Sequence, residues 1–248
     1  MTARKIVLVT GASRGIGAAT ARLAAAQGYD VAVNYARDKE SAAAVVADVE
    51  KAGRRAAAIQ ADVSREEDVA RLFETIDAKL GRLTDLVYNA GITGPVSRIE
   101  NLSTDAAREI LDVNVLGAVL TARAAIPRLS KAQGGAGGAI VLLSSAMATL
   151  GGAGEFVMYS ASKGAVESLS IGLARELAAE GIRVNVVEPG PTDTGIHPPG
   201  RLERLSKIVP LGRAGTPEEA AGAVYLFCIP ESNYISGQVI LVGGGINI

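Results

Sequence analysis

Seven short apolar runs alternate with longer helical patterns from one end of this 248-residue chain to the other, and that rhythm constrains the fold more than any single motif. The runs are KIVLVT (5–10), DVAVNY (30–35), RAAAIQAD (55–62), TDLVYNAG (84–91), GAIVLLSS (138–145), IRVNVVEPG (182–190) and QVILVGG (238–244). Each closes on Gly, Asn, Asp, Ser or a similar turn former. Helical stretches fall near 16–27, 40–52, 65–80, 104–131, 159–180 and 217–228. Two of them open on capping boxes, Ser64-Arg-Glu-Glu67 and Thr216-Pro-Glu-Glu219, the second with Pro at the first helical position. Strands joined through helices return by right-handed crossovers, so they align parallel and both faces of the sheet are covered. Near-continuous apolar strands suit such burial. The sequence therefore predicts one doubly wound α/β domain over 1–248, seven parallel strands with helices on both faces. Its first half, to about residue 137, would hold a cofactor, and 138–248 would carry catalysis and substrate. Gly134–Gly138 reads as a surface loop, and no internal repeat is visible.

Composition narrows the function. Net charge is −1 with Lys and Arg scattered, which leaves no electrostatic footprint for nucleic acid. A single cysteine, Cys228, excludes an internal disulfide and a cysteine metal cluster. With His197 as the one histidine, no metal site is expected. The apolar run near the start, IVLV, is too short for a secretory signal, and no segment approaches the 18 or so apolar residues of a membrane span. The expectation is a cytoplasmic protein acting on a small molecule.

In a doubly wound sheet, ligands bind beyond the carboxyl ends of the strands. The first strand runs into Thr10-Gly-Ala-Ser-Arg-Gly-Ile-Gly17 at the start of a helix. There, backbone amides of Gly11, Ser13, Arg14, Gly15, Ile16 and Gly17 would face a pyrophosphate, as in a Rossmann-type site. The bland alternative is a tight strand–helix turn. Strand two ends in Asn34-Tyr35-Ala36-Arg37, without the acid that would hold a ribose 2′-hydroxyl; Tyr35 takes that tip position and is expected to contact the cofactor. Arg37 and Arg14 suit a 2′-phosphate instead, so the expected cofactor is NADP(H), with NAD(H) not excluded. Asp62-Val63 and Asn89-Ala90-Gly91 close the next two strands, where an acid could accept from an adenine amino group and small residues let a ribose pack on the backbone.

YSASK places Tyr159 and Lys163 four residues apart, one turn on a helix face. Tyr35 and Lys39 share that spacing, so spacing alone decides nothing. Company decides it. TGASRGIG, the Asp-Val at 62–63, NAG, Asn114 within LDVNVLG, Ser144–Ser145, YSASK and PGPTDT occur in an order that resembles the short-chain dehydrogenase/reductases, in particular 3-oxoacyl-acyl-carrier-protein reductases.

The resemblance implies a hydride-transfer enzyme with Tyr159 as general acid, Ser145 holding the carbonyl oxygen, and Lys163 binding the nicotinamide ribose and lowering the phenol's pKa. Asn114 would anchor a water on a proton route, and Pro189, Gly190, Thr192 and Thr194 would line the nicotinamide. Bringing a tyrosine from about 10 to about 7 takes about 4 kcal/mol, which a nearby ammonium and the positive ring of NADP+ could supply. A homotetramer is also implied, paired through the two long helices and the last strand, Gln238–Gly244. The chain departs from the family's pattern at Tyr88, where many relatives carry asparagine, and in the 14 positions from Ser145 to Tyr159, one more than usual. The lengthened loop 146–158, with Met147, Leu150, Phe156, Val157 and Met158, would form a partly apolar substrate pocket. His197, in the Pro/Gly-rich HPPGR stretch, reads as a solvated residue of a mobile lid. A sugar or secondary-alcohol dehydrogenase shares these motifs. A non-catalytic dinucleotide sensor is disfavoured by the presence of both Tyr159 and Lys163.

Overall fold

The computed structural model describes residues 4–246, so the last two residues of the apolar tail lie outside it. All seven expected strands form: β1 (Ile6–Val9), β2 (Asp30–Tyr35), β3 (Ala56–Gln60), β4 (Asp85–Tyr88), β5 (Gly138–Leu143), β6 (Ile182–Pro189) and β7 (Val239–Val242). They pair parallel throughout in the order β3-β2-β1-β4-β5-β6-β7. The order reverses between β1 and β4, which opens a crevice at their carboxyl ends.

Side-chain alternation builds two cores from the same strands. Ile6, Leu8, Leu86 and Ile140 face α3 (Glu66–Lys79), α5 (Gly117–Leu129) and α7 (Val157–Glu176). Val7, Val9, Val31 and Val141 face α1 (Gly15–Ala26), α2 (Lys39–Lys51) and α9 (Pro217–Leu226). Three shorter helices complete the chain: α4 (Thr104–Leu111), α6 (Met147–Leu150) and α8 (Arg201–Ser206). The last two were not anticipated from sequence.

Two local expectations fail for physical reasons. The Thr216 capping box forms, with Glu219 N–H donating to Thr216 Oγ1 (3.3 Å) and Thr216 N–H to Glu219 Oε2 (2.8 Å). The Ser64 box does not. Ser64 gives both its N–H (3.0 Å) and its hydroxyl (2.7 Å) to Asp62 Oδ1, and α3 starts at Glu66 without a side-chain cap. Both bonds tie Ser64 to a charged acceptor two residues upstream, in a local turn rather than in a helix cap. The predicted helix 104–131 is also interrupted, by a π-turn over Asp112–Leu116 between α4 and α5. By length and composition Thr104–Leu129 could cross a membrane, contrary to the sequence expectation. Its apolar residues Ala118, Leu120, Ala125 and Leu129 instead pack on the sheet.

At the far end of the sheet, Asp85 is buried, and burial pushes its carboxyl up to about 7. Its Oδ1 accepts from Ala139 N–H (3.0 Å), and Oδ2 lies 2.8 Å from Thr84 Oγ1. That hydroxyl has Ile6 O at 2.9 Å to donate to, so a protonated Asp85 satisfies every partner. A folded-state value above the unfolded one means that the native chain keeps a proton the unfolded chain has lost. Stability is then drained as pH rises from the unfolded value through about 7. Asp85→Asn abolishes this drain. Relative to wild type, the Tm of the variant should rise by about 3 °C or more between about pH 5 and about pH 8.5 in calorimetry. A Tm difference independent of pH would show that Asp85 is ionised in the fold.

Candidate active site

Beyond β1 the chain needs conformations and close approaches that only glycine allows. Gly11 and Gly15 have φ of +60° and +55°. A Cβ on Gly17 would lie 2.5 Å from Asn89 Nδ2 and from Gly11 O, so α1 could not seat against the loop with any larger residue. Asn89 Nδ2 donates to Thr10 O and Gly11 O (3.0 Å each), while Thr10 Oγ1 accepts from the amides of Asn89 (2.9 Å) and Ala90 (3.0 Å). Buried Asn34 fixes the other side: its Oδ1 accepts from Gly11 N–H (3.3 Å) and its Nδ2 donates to Ala61 O (3.1 Å). Asn34 and Thr10 were not among the expected site residues; an amide inside an otherwise apolar strand was the available signal for Asn34.

At the tip of β2 the structure corrects one placement. Tyr35 is buried among the side chains between the sheet and α1 and α2, because it shares the face of Val31 and Val33. Exposed Ala36 and Arg37 form the tip, with exposed Arg14 across from them at the N-cap of α1. An acid does stand nearby: Asp38 caps α2 by accepting from Ser41 N–H (2.9 Å), and this bond, with the Arg14 charge, holds its carboxyl below the usual range. Asp62 is exposed and occupied with Ser64, and Val63 packs in the core.

The second half of the crevice converges on Gly91. A Cβ there would meet Asn114 Oδ1 and Lys163 Nζ, both at 3.3 Å, so the tip of β4, the π-turn and α7 come together at one backbone position. The π-turn is held by four hydrogen bonds. The Tyr88 hydroxyl donates to Val113 O, Asn114 Oδ1 accepts from Ile92 N–H (2.9 Å), and Asn114 Nδ2 donates to Ile92 O and Ser162 Oγ (2.9 Å each). Tyr88, a departure from the family's pattern, thus serves the turn. Both amide hydrogens of the Asn114 side chain and its oxygen are thereby engaged.

Lys163 donates to Leu143 O (2.7 Å) and sits 5.7 Å from the centroid of the Tyr159 ring. Burial pulls its ammonium down to about 8, against the Glu167 charge, which raises it. Burial raises the Tyr159 phenol; a hydrogen bond with Ser145 and the charge of Arg201 oppose the rise. The two serines face different ways. Ser145 Oγ accepts from Met147 N–H (3.3 Å) and lies by the Tyr159 phenol, whereas buried Ser144 donates to Glu167 Oε1 (2.5 Å) on α7.

Beyond β6, Gly190 packs so closely on Gly243 that a Cβ would lie 2.7 Å from its Cα. Thr194 then reaches the glycine loop, where a Cβ on Gly15 would stand 3.1 Å from its Cβ. This contact closes the crevice between the Gly11–Gly17 loop and the segment Pro189–Thr194. His197 is not solvated, as the sequence suggested. It is half-buried, with Nε2 3.0 Å from Thr192 O and Nδ1 3.1 Å from an Arg201 nitrogen, and burial and Arg201 lower its pKa.

A family profile described as enoyl-(acyl carrier protein) reductase matches residues 11–247. The chain is 43% identical to the oxidoreductase YgfF of Escherichia coli, over 97% of this chain and 99% of that one. It is 40% identical to the human 3-oxoacyl-[acyl-carrier-protein] reductase, over 98% of each. This chain is a short-chain dehydrogenase/reductase. Among solved members, a short-chain dehydrogenase from Burkholderia cenocepacia in complex with NADP superposes with a TM-score of 0.92 at 38% identity, covering 98% of both chains. As a short-chain dehydrogenase/reductase the protein is an oxidoreductase acting on the CH–OH/C=O couple.

Proposed function

We propose that this short-chain dehydrogenase/reductase uses NADP(H) to interconvert a carbonyl and an alcohol, with Tyr159 as the general acid in reduction and the base in the reverse direction. The observation that carries the reading is the meeting of Ser145, Tyr159, Lys163 and Asn114 beside Gly91, at the mouth of a crevice floored by glycine. The crevice fits a dinucleotide. Left-handed Gly11 and Gly15 present backbone without side chains at the start of α1, where amides favour an anion. Arg14 and Arg37 stand exposed at the tip of β2. The neighbouring complex with NADP supports the same cofactor.

When bound, the nicotinamide supplies or accepts the hydride. Gly11, Ser13, Arg14, Gly15, Ile16 and Gly17 would hold the phosphates; Arg14 and Arg37 the 2′-phosphate; Asp62, Val63, Asn89, Ala90 and Gly91 the adenosine and ribose side; Pro189, Gly190, Thr192 and Thr194 the nicotinamide. Ser145 orients the substrate oxygen and Tyr159 delivers its proton. Lys163 would hold the ribose hydroxyls, and Asn114 would anchor the water that restores the proton. The crevice against Tyr159 is lined by Pro95, Ile99, Phe156 and Met158 together with Thr93, Ser97 and Glu155, apolar walls with hydrogen-bonding groups among them. With the human relative, this favours a 3-oxoacyl thioester as substrate. Purified protein with NADPH should reduce β-keto thioesters faster than simple ketones or quinones. Turnover of none of the three classes would overturn the reading.

The assembly we propose is a homotetramer. Leu116 and Val119 near the start of α5, Ile171 on α7 and Val239 on edge strand β7 are each 38–42% exposed, on the three elements that the resemblance pairs across two-fold axes. Light scattering should give four chains at micromolar concentration; a monomer would sink this proposal.

A further inference from the structure

Arg201 is the most deeply buried arginine among the described residues, only 8% exposed, although it begins a helix of six residues in a Pro/Gly-rich segment. Burying a guanidinium is costly unless partners are built around it. Here they come from two segments, the loop before α7 and the loop before α8. Nε donates to Glu155 Oε2 (2.9 Å), the guanidinium lies 5.0 Å from the centroid of Phe156, and Nη1 donates to His197 Nδ1 (3.1 Å). The two histidine contacts fix one tautomer: Nε2–H donates to Thr192 O while Nδ1 accepts from Arg201. His197 is therefore neutral in this arrangement and takes no charge from the cluster. Arg204 also reaches Glu155 (2.5 Å), so two guanidinium groups meet one carboxylate and the latch keeps a net positive charge. An unbroken line of contacts runs from Thr192, on the nicotinamide-side loop, through His197 and Arg201 to Phe156. Phe156 in turn packs edge-on against Tyr159, with ring centroids 6.4 Å apart.

We propose that Arg201 is a positioning residue for hydride transfer: with α8 docked by His197 and Glu155, it sets a second positive charge on the Tyr159 side of the site that favours the phenolate while the lid is closed. This rests on the reading of Tyr159 as the acid–base group. Lys163 on α7 lies over the Tyr159 ring and Ser145 after β5 lies by its phenol, while the Arg201 guanidinium on α8 stands one ring away, over Phe156. Glu155, His197 and Arg204 stand one contact further out. The Arg201 charge already opposes the effect of burial on the phenol.

The sign of the response separates a charge effect from simple lid anchoring. Losing the charge under a closed lid makes ionisation harder; loosening the lid hydrates the phenol and makes it easier. The test is a pH titration of phenolate absorbance in the NADP+-saturated protein, read as wild type minus Tyr159→Phe to isolate one tyrosine. In Arg201→Met, matched against Tyr159→Phe/Arg201→Met, the signal at the wild-type midpoint should fall from half of its plateau to less than about a quarter. Arg201→Lys should restore it. An unchanged or lower midpoint in Arg201→Met would overturn the proposal and reduce Arg201 to a structural latch. If the wild type itself shows no Tyr159 phenolate below the range of the other tyrosines, the assignment of Tyr159 fails first, independently of Arg201.

Discussion

Replacing Tyr159 by phenylalanine is expected to lower turnover by about 10²-fold or more while leaving cofactor binding largely intact. The change removes one oxygen and almost no volume, in a residue whose ring is fixed edge-on against Phe156. What is lost is the proton donor. Burial keeps the phenol protonated at neutral pH before cofactor arrives, which is the form needed to reduce a carbonyl. Its ionised form, needed for the reverse reaction, relies on nearby positive charge, and burial leaves the Lys163 ammonium at about 8. Steady-state kinetics with fluorescence titration of NADPH separate the two effects. Near-wild-type turnover would refute the proton-donor role. The serines supply an internal control. Ser145→Ala removes the Tyr159 partner and should cost much more activity than Ser144→Ala, which frees Glu167 behind the site. The reverse order would mean that the longer loop turns Ser144 toward substrate.

Wild-type protein is also expected to favour NADPH over NADH by roughly 10²-fold. A 2′-phosphate carries close to two negative charges at neutral pH, and a charge-assisted hydrogen bond contributes about 1.5–3 kcal/mol. Arg14 and Arg37 are both exposed, so solvent takes part of that, and Asp38 beside Arg14 takes more. Asp38 is nevertheless bound through one carboxylate oxygen to the cap of α2, beyond the Tyr35 strand end. A net gain of about 2.8 kcal/mol corresponds to 10²-fold. Arg37→Asp should erase most of the preference and weaken NADPH more than NADH. Initial rates with each cofactor at equal, sub-saturating concentration test it. Equal or better use of NADH would mean that these arginines point to solvent.

The sheet was legible because each parallel strand announces itself within four to eight residues, and the longer helices carry the matching period. Features that depend on distant partners were not. Nothing near residue 112 reveals a π-turn, because the groups that hold it, Tyr88, Ile92 and Ser162, lie 22 to 48 residues from those they contact. HPPGR reads as solvated lid from its own composition, and the burial of Arg201 depends on Glu155, 46 residues earlier. Tyr35 looked like a cofactor contact from its place in the chain, whereas strand alternation sends it into the core. The motifs at 10–17, 89–91 and 159–163 were visible since backbone approach, one-turn spacing and order are local properties.

The π-turn has a consequence for recombining this chain with its relatives. A regular helix advances about 100° per residue, so removing one residue from Asp112–Leu116 would rotate everything downstream by that angle. Leu120, Ala125 and Leu129 would swing off the sheet, and Gly117, where a Cβ would overlap the Tyr88 hydroxyl, would present its neighbour there instead. The residues from Tyr88 to Leu129 thus share one reading frame, in which the site and the core are in phase only together. A chimaera should tolerate a junction in the Gly134–Gly138 loop, whereas one cut between Ile92 and Gly117 should fold only if both parents carry the turn at the same residue.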